Sequence, residues 1–141
     1  MTVTFIGHAD APDAIRENLK GVVTNLIENE AADTFYIGTH GNFDIMSYSV
    51  IKELTAIYPH VKVFSVLAYM PTSNSSLSDT SDTVLPEEVA VASPRFAIIK
   101  RNRWMIEKSD TVVAYVKRNI GGAAKFRDFS VKKKKRIIYI R

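Results

Sequence analysis

Apolar residues along this chain fall into short runs and helically spaced stripes that alternate, and the alternation predicts a fold. Val3-Thr4-Phe5-Ile6 is a short run that stops at Gly7 and reads as a strand. Ile15, Leu19, Val22, Val23, Leu26 and Ile27 then recur at helical spacing, so residues 12–29 form an amphipathic helix. Pro12 suits its first turn, where a missing N–H costs nothing. Thr34-Phe35-Tyr36-Ile37 is a second strand, closed by Gly38. Asn42 is the predicted N-cap of a helix carrying Ile45, Met46, Val50, Leu54 and Ile57, with Pro59 just past its end. Val61 to Leu67 is continuously apolar, as a parallel strand covered on both faces should be.

The rhythm then lapses. Residues 71–93 are rich in Ser, Thr and Asp, and a loop longer than ~12–15 residues inside a compact domain usually serves as a lid or binding loop. The segment is expected to be a flexible, lid-like loop, with a short turn near Pro86-Glu87-Glu88. Ser93-Pro94 opens a helix through Glu107, Thr111 to Val116 is the fourth strand, Gly121 to about Lys133 a further helix, and Arg136 to Ile140 the last strand. Residues 1–141 are therefore expected to form one α/β domain, a Rossmann-like three-layer fold with a five-stranded, mostly parallel sheet in the order 3-2-1-4-5. Such sheets bind ligands where the strand order reverses, here between the first and fourth strands.

That position selects the candidate residues. Gly7-His8 ends the first strand, and Lys117-Arg118-Asn119-Ile120-Gly121-Gly122 follows the fourth; the second strand ends in Gly38-Thr39-His40-Gly41-Asn42-Phe43-Asp44. A Gly-Gly pair opening a helix lets backbone N–H groups approach a phosphate, and the helix dipole favours its charge. Ala123 and Ala124 keep that entrance narrow, and Lys125 could add a cation. His8 could donate to a phosphate or ribose oxygen, or close a turn. Asp44 could bind a ribose hydroxyl or base amine, or simply complement a helix N-terminus. Phe43 could stack on a base or pack in the core. Arg95, Arg101 and Arg103 lie on the helix feeding the fourth strand, where arginines are usually solvated; Arg101 and Trp104 share roughly one face.

Composition narrows the classes. The chain has no cysteine, which excludes a disulfide framework, thiolate zinc sites and a Cys nucleophile, and fits a reducing compartment. Its three histidines come without a metal-binding pattern, so no metal and no resident cofactor is expected. No apolar run is long enough for a membrane span, and the N-terminus reads as a strand rather than a targeting peptide, so a cytoplasmic protein is expected. The net charge of +4 sits largely in Lys132-Lys133-Lys134-Lys135-Arg136. These residues would complement a helix C-terminus, and the lack of interleaved aromatics weighs against nucleic acid as their partner.

At these residues the sequence resembles the SLOG superfamily, named for the DNA-processing protein DprA (SMF) and the Lonely Guy enzymes, and within it the small, single-domain YpsA-like members. The resemblance covers nearly the whole chain. It is carried by Phe5-Ile6-Gly7-His8, Asp33 to Gly38 with Gly41-Asn42-Phe43-Asp44, Tyr58-Pro59-His60, Leu67-Ala68-Tyr69-Met70-Pro71, Arg101 to Asp110, and Gly121-Gly122-Ala123-Ala124-Lys125-Phe126. It implies a Rossmann-like domain that senses or sequesters a nucleotide-derived small molecule, either a nucleoside phosphate or an ADP-ribose derivative of the kind related domains sense in phage defence. It also implies a homo-oligomer.

On that resemblance the ligand-binding candidates are Gly7, His8, Gly38, Thr39, His40, Asn42, Phe43, Asp44, Arg95, Arg101, Asn102 and Gly121 through Lys125. The alternative function is Lonely Guy-like: a nucleoside 5′-monophosphate N-glycosidase in which Arg101 matches the catalytic Arg and Asp128 falls at the position of the catalytic Glu. Ile120, Ala124 and Lys125 depart from that enzyme motif, and Asp128 is one methylene shorter than Glu, which favours binding over catalysis. A nucleic-acid-binding accessory domain, by analogy with DprA, is the second alternative.

Overall fold

The computed structural model describes residues 1–70 and 82–141. Strand β1 (Thr2–Gly7) leads through a 3-10 turn (Asp13–Ile15) into helix α1 (Arg16–Glu30). Then follow β2 (Thr34–Ile37), α2 (Asn42–Thr55), β3 (Lys62–Val66), β4 (Thr83–Val84) and α3 (Glu87–Ala90). The chain closes with α4 (Pro94–Lys108), β5 (Thr111–Tyr115), α5 (Gly122–Lys132) and β6 (Arg136–Tyr139). The sheet order is β4-β3-β2-β1-β5-β6, and each of the five pairings is parallel.

The architecture is the Rossmann-like α/β fold expected, and the five expected strands stand in the expected order. A sixth corrects it. Thr83-Val84 pairs beside β3, inside a segment read from sequence as loop, and Glu87–Ala90 is a single helical turn where a turn was expected. Two residues of edge strand produce no hydrophobic period, so only the tertiary pairing reveals them. The lid-like character expected of 71–93 falls in part on residues 71–81, which lie outside the described residues.

Strand alternation sorts the core into two layers. Val3, Phe5, Phe35, Ile37, Val113 and Tyr115 point toward α1 and α2, and pack on Leu19, Val23, Val50 and Ile51. Ile6, Val112 and Ala114 point the other way, toward Ile106 of α4 and Ala123 and Phe126 of α5. Because successive residues of a strand face opposite sides, Gly7 continues the first layer and His8 the second. That parity decides which loop residues reach the ligand face.

Helix α2 departs from its expected pattern in two ways. Ile45 and Ile57, read as part of the buried stripe of α2, are 66% and 63% exposed; Phe43, Ser47 and Ile51 take the buried positions instead. Gly41, not Asn42, is the N-cap. Its φ of +94° suits glycine, and a β-carbon there would lie 2.5 Å from the Cα of Ala9.

Candidate functional site

A cavity of about 500 Å³ opens at the C-terminal ends of β1 and β5, bounded by α4 and the start of α5. It coincides with the reversal of strand order, where the expected loops meet. Among the predicted residues, Gly7, His8, His40, Asp44, Arg101, Asn102, Gly121, Gly122 and Ala123 line it.

Arg101 dominates its floor. The side chain is only 1% exposed, against the expectation of a solvated helix arginine. Its position on α4 continues the buried face of Ala97, Met105 and Ile106, so the helix stripe drives the guanidinium inward. Nε donates to Asn102 Oδ1 at 2.7 Å; Nη1 donates to Thr39 Oγ1 and to the Val66 carbonyl, both at 3.0 Å. Nη2 lies 3.2 Å from His40 Nδ1. All four acceptors are neutral. Burial lowers the pKa of Arg101, opposed by the charge of Asp44.

The two histidines hold defined tautomers. His40 Nδ1 accepts from Arg101, which leaves the proton on Nε2, 3.3 Å from the Tyr69 hydroxyl. His8 Nε2 accepts the Lys117 N–H at 2.8 Å, which leaves its proton on Nδ1. Burial lowers both pKa values, helped by Arg101 at His40 and by Arg118 at His8, so both rings are neutral at neutral pH. His8 thereby pins the loop after β5 to the end of β1. Asp44 accepts the His40 N–H at 3.0 Å, and burial of its carboxyl pushes the pKa up to about 6.

Gly121 caps α5 with a φ of +94°, a conformation that favours glycine. Gly122 has no heavy atom within 4 Å of where a β-carbon would stand, so its side faces open space. The first N–H groups of α5 have no intrahelical partner and begin at this opening. Glycine is required at one of the pair and open at the other.

Several predicted residues lie elsewhere. Phe43 is 1% exposed and packs between Phe5 and Tyr115 rather than against a base. The Asn42 amide donates to the Ala11 carbonyl and to Asp13, fastening the 3-10 turn. Gly38 and Thr39 are not among the cavity residues; Gly38 is buried, and the exposed Thr39 touches two of them, accepting from Arg101 and lying 3.3 Å from His40 Nδ1. Arg95 is exposed over the Phe96 ring. Ala124 is buried, and Lys125 points to solvent. Asp128 pairs with Arg127 at 3.0 Å and is not among the cavity residues, so the structure does not bring it together with Arg101. Sequence reasoning missed Arg118, whose neighbourhood in the β5 loop had been marked but whose side chain had not, and the apolar lining of Ile98, Met105 and Ile120.

The basic run lies at the opposite end of the strands from the cavity. Arg136 begins β6 opposite Thr111, the first residue of β5, whereas the cavity lies beyond the last. Among the described residues, no helix is long and apolar enough to cross a membrane, and no metal-binding cluster occurs.

No protein-family model matches the chain, and no curated protein sequence matches it. Solved structures do. Over 98% of its length the chain is similar to DNA processing protein A of Streptococcus pneumoniae, with a TM-score of 0.67, 16% identity and 49% of that chain covered. Over 99% of its length it is similar to DNA processing protein A of Helicobacter pylori, solved for its single-stranded DNA binding mode, with a TM-score of 0.58, 14% identity and 64% of that chain covered. The chain thus spans between about half and two thirds of these proteins, and at such identities the shared property is the fold: a Rossmann-like α/β domain of the kind found in DNA processing protein A.

Proposed function

We propose that this domain binds a nucleotide-derived small molecule, a nucleoside phosphate or an ADP-ribose derivative, through an anionic group seated between Arg101 and the N-terminus of α5. One observation carries the reading. A buried guanidinium forms part of a cavity wall while its four hydrogen-bond acceptors are all neutral. Asp44 shares this wall across Gly38 and acts on the guanidinium through its charge, but among the described residues no carboxylate is hydrogen-bonded to Arg101. A buried charge is costly without a direct ion-pair partner, and an anion in the cavity supplies one. The N–H groups opening α5 favour the same charge. A volume near 500 Å³ falls within the usual range for small-molecule sites.

Calorimetry with AMP, ADP and ADP-ribose tests this. Gly122→Asp is the control, because its side chain enters open space and an acid suits a first helical turn, so the fold is kept while the opening turns anionic. The expected result is binding by the unchanged protein and at least a tenfold loss in the variant. Failure to bind any of the three ends the reading.

Single-stranded nucleic acid is the second reading, favoured by the fold likeness to the Helicobacter pylori protein. It predicts that a short oligothymidylate binds better than a mononucleotide, with affinity falling steeply as salt rises.

A further inference from the structure

We propose that Arg118 is a second anion-binding side chain of this cavity and that Asp10 occupies it as an internal stand-in, exchanged for an anionic group of the ligand on binding. The proposal rests on the small-molecule reading above and adds a ligand-exchanged ion pair to it. Arg118 lies in the loop between β5 and α5 and lines the cavity with Gly121 and Gly122. Asp10 follows His8 and Ala9, which line the cavity on the β1 side, though it is not itself a lining residue. Its two carboxylate oxygens receive Nη2 at 2.8 Å and Nη1 at 3.3 Å, a forked contact between the loop after β5 and the loop after β1. A guanidinium fork accepts a phosphate in the same geometry as a carboxylate.

The pair is built to be broken. The side chains are 53% and 69% exposed, where solvent and salt screen an ion pair and its bond is readily exchanged. The Arg118 backbone, in contrast, is fixed: the N–H groups of Lys117 and Arg118 point at His8 Nε2, at 2.8 and 3.4 Å. Exchange therefore requires a side-chain rotation and leaves the loop in place. Arg101 differs on each count, being buried and held by four neutral groups that have no charge to give up. In the closed pair, Asp10 both occupies the fork and sets a negative charge at the mouth that an entering anion must oppose. The two arginines thus divide the work: one is a permanent floor cation, the other is released by the ligand it binds.

The test uses ADP and inorganic pyrophosphate as probes, with the full chain and the variants Asp10→Asn, Arg118→Met, Arg118→Lys and Asp10→Asn/Arg118→Met. Asp10→Asn should tighten both probes about threefold to tenfold. Arg118→Met should weaken them at least tenfold, with Arg118→Lys in between because an ammonium cannot fork. In the Arg118→Met background the gain from Asp10→Asn should shrink to under twofold. Thermal midpoints of all four variants check that the fold is kept. Binding by the unchanged protein with Asp10→Asn neutral or weaker overturns this inference alone and makes the pair a plain loop clasp. Absence of binding in every protein overturns the small-molecule reading as well.

Discussion

Arg101 and Asp44 approach each other across the Cα of Gly38, with no β-carbon between them. A β-carbon at that position would lie 2.7 Å from Asp44 Oδ2 and 3.2 Å from Arg101 Cζ. The glycine ending β2 is therefore a spacer that lets a buried cation and a desolvated carboxyl share one wall. Gly38→Ala should force the carboxyl off the His40 N–H and push the guanidinium from its acceptors. Overpacking of this kind costs about 1–3 kcal/mol. Urea denaturation should show that loss, together with weaker nucleotide binding. A variant as stable as the parent would mean that the wall yields freely.

Asp44 should give the protein an inverse pH dependence over a narrow window. Burial of its carboxyl raises the pKa to about 6, against roughly 3.9 for an unfolded aspartate. The folded state then holds the proton more tightly than the unfolded state. Its contribution is fully present below pH ~4 and is lost as pH rises through about 6, by roughly 3 kcal/mol in all. His8 and His40 act in the opposite sense: their pKa values are lowered, so their contributions are lost as the pH falls. The difference between Asp44→Asn and the parent isolates the carboxyl. Above pH 6 the variant should be the more stable; a constant difference from pH 4 to 7 would place the proton elsewhere.

Asp128 separates binding from ribosyl transfer. A carboxylate that stabilises an oxocarbenium-like centre must lie against the sugar, and a displacement of about 1 Å can cost ~100-fold in rate. Asp128 is instead spent on Arg127, with its side chain 68% exposed. Incubation with AMP or CMP should release no free base, and Asp128→Asn should bind AMP as the parent does. Base release that disappears in Asp128→Asn would restore the hydrolytic reading.

The sheet was legible because each buried strand writes its own apolar run, and Gly7, Gly38 and Pro94 mark element ends. From those runs the strand order and the crevice followed. What stayed hidden depends on parity and tertiary pairing. Phe43 and Asp44 are adjacent in a loop-to-helix corner, yet one enters the core beneath Gly7 and the other reaches the cavity. Sequence could mark both as candidates but not divide them. Arg101 was singled out, and its burial was not expected; the signal was its place in the stripe Ala97-Arg101-Met105, where helical spacing overrides the habit of arginine to be solvated. Arg118 was marked only as part of its loop and not as a ligand residue, since its meaning comes from Asp10, 108 positions away. Thr83-Val84 is too short to write a period at all.

The lysine run offers the cleanest discrimination between the readings of the protein as a binder of small molecules or of nucleic acid. Helix α5 carries the chain from the cavity at Gly122 to the opposite end of the strands at Lys132, so the run cannot share a ligand with Arg101 unless that ligand wraps the domain. Local duties also occupy it. Lys135 Nζ donates to the Glu107 carbonyl at 3.3 Å, Lys133 lies over the Phe129 ring, and Arg136 pairs with Glu30. Cations at a helix C-terminus are favourable by about 0.3–1 kcal/mol each. Replacing Lys132 through Lys135 with glutamine should therefore lower the thermal midpoint while leaving the dissociation constant for ADP within twofold. If the run instead holds a nucleic-acid backbone, the same variant should lose oligothymidylate binding and flatten its salt dependence, because each phosphate contact removed lowers that slope for a single strand by about 0.7. Unchanged oligothymidylate binding, with the steep slope retained, would assign any such affinity to the cavity face and its two arginines.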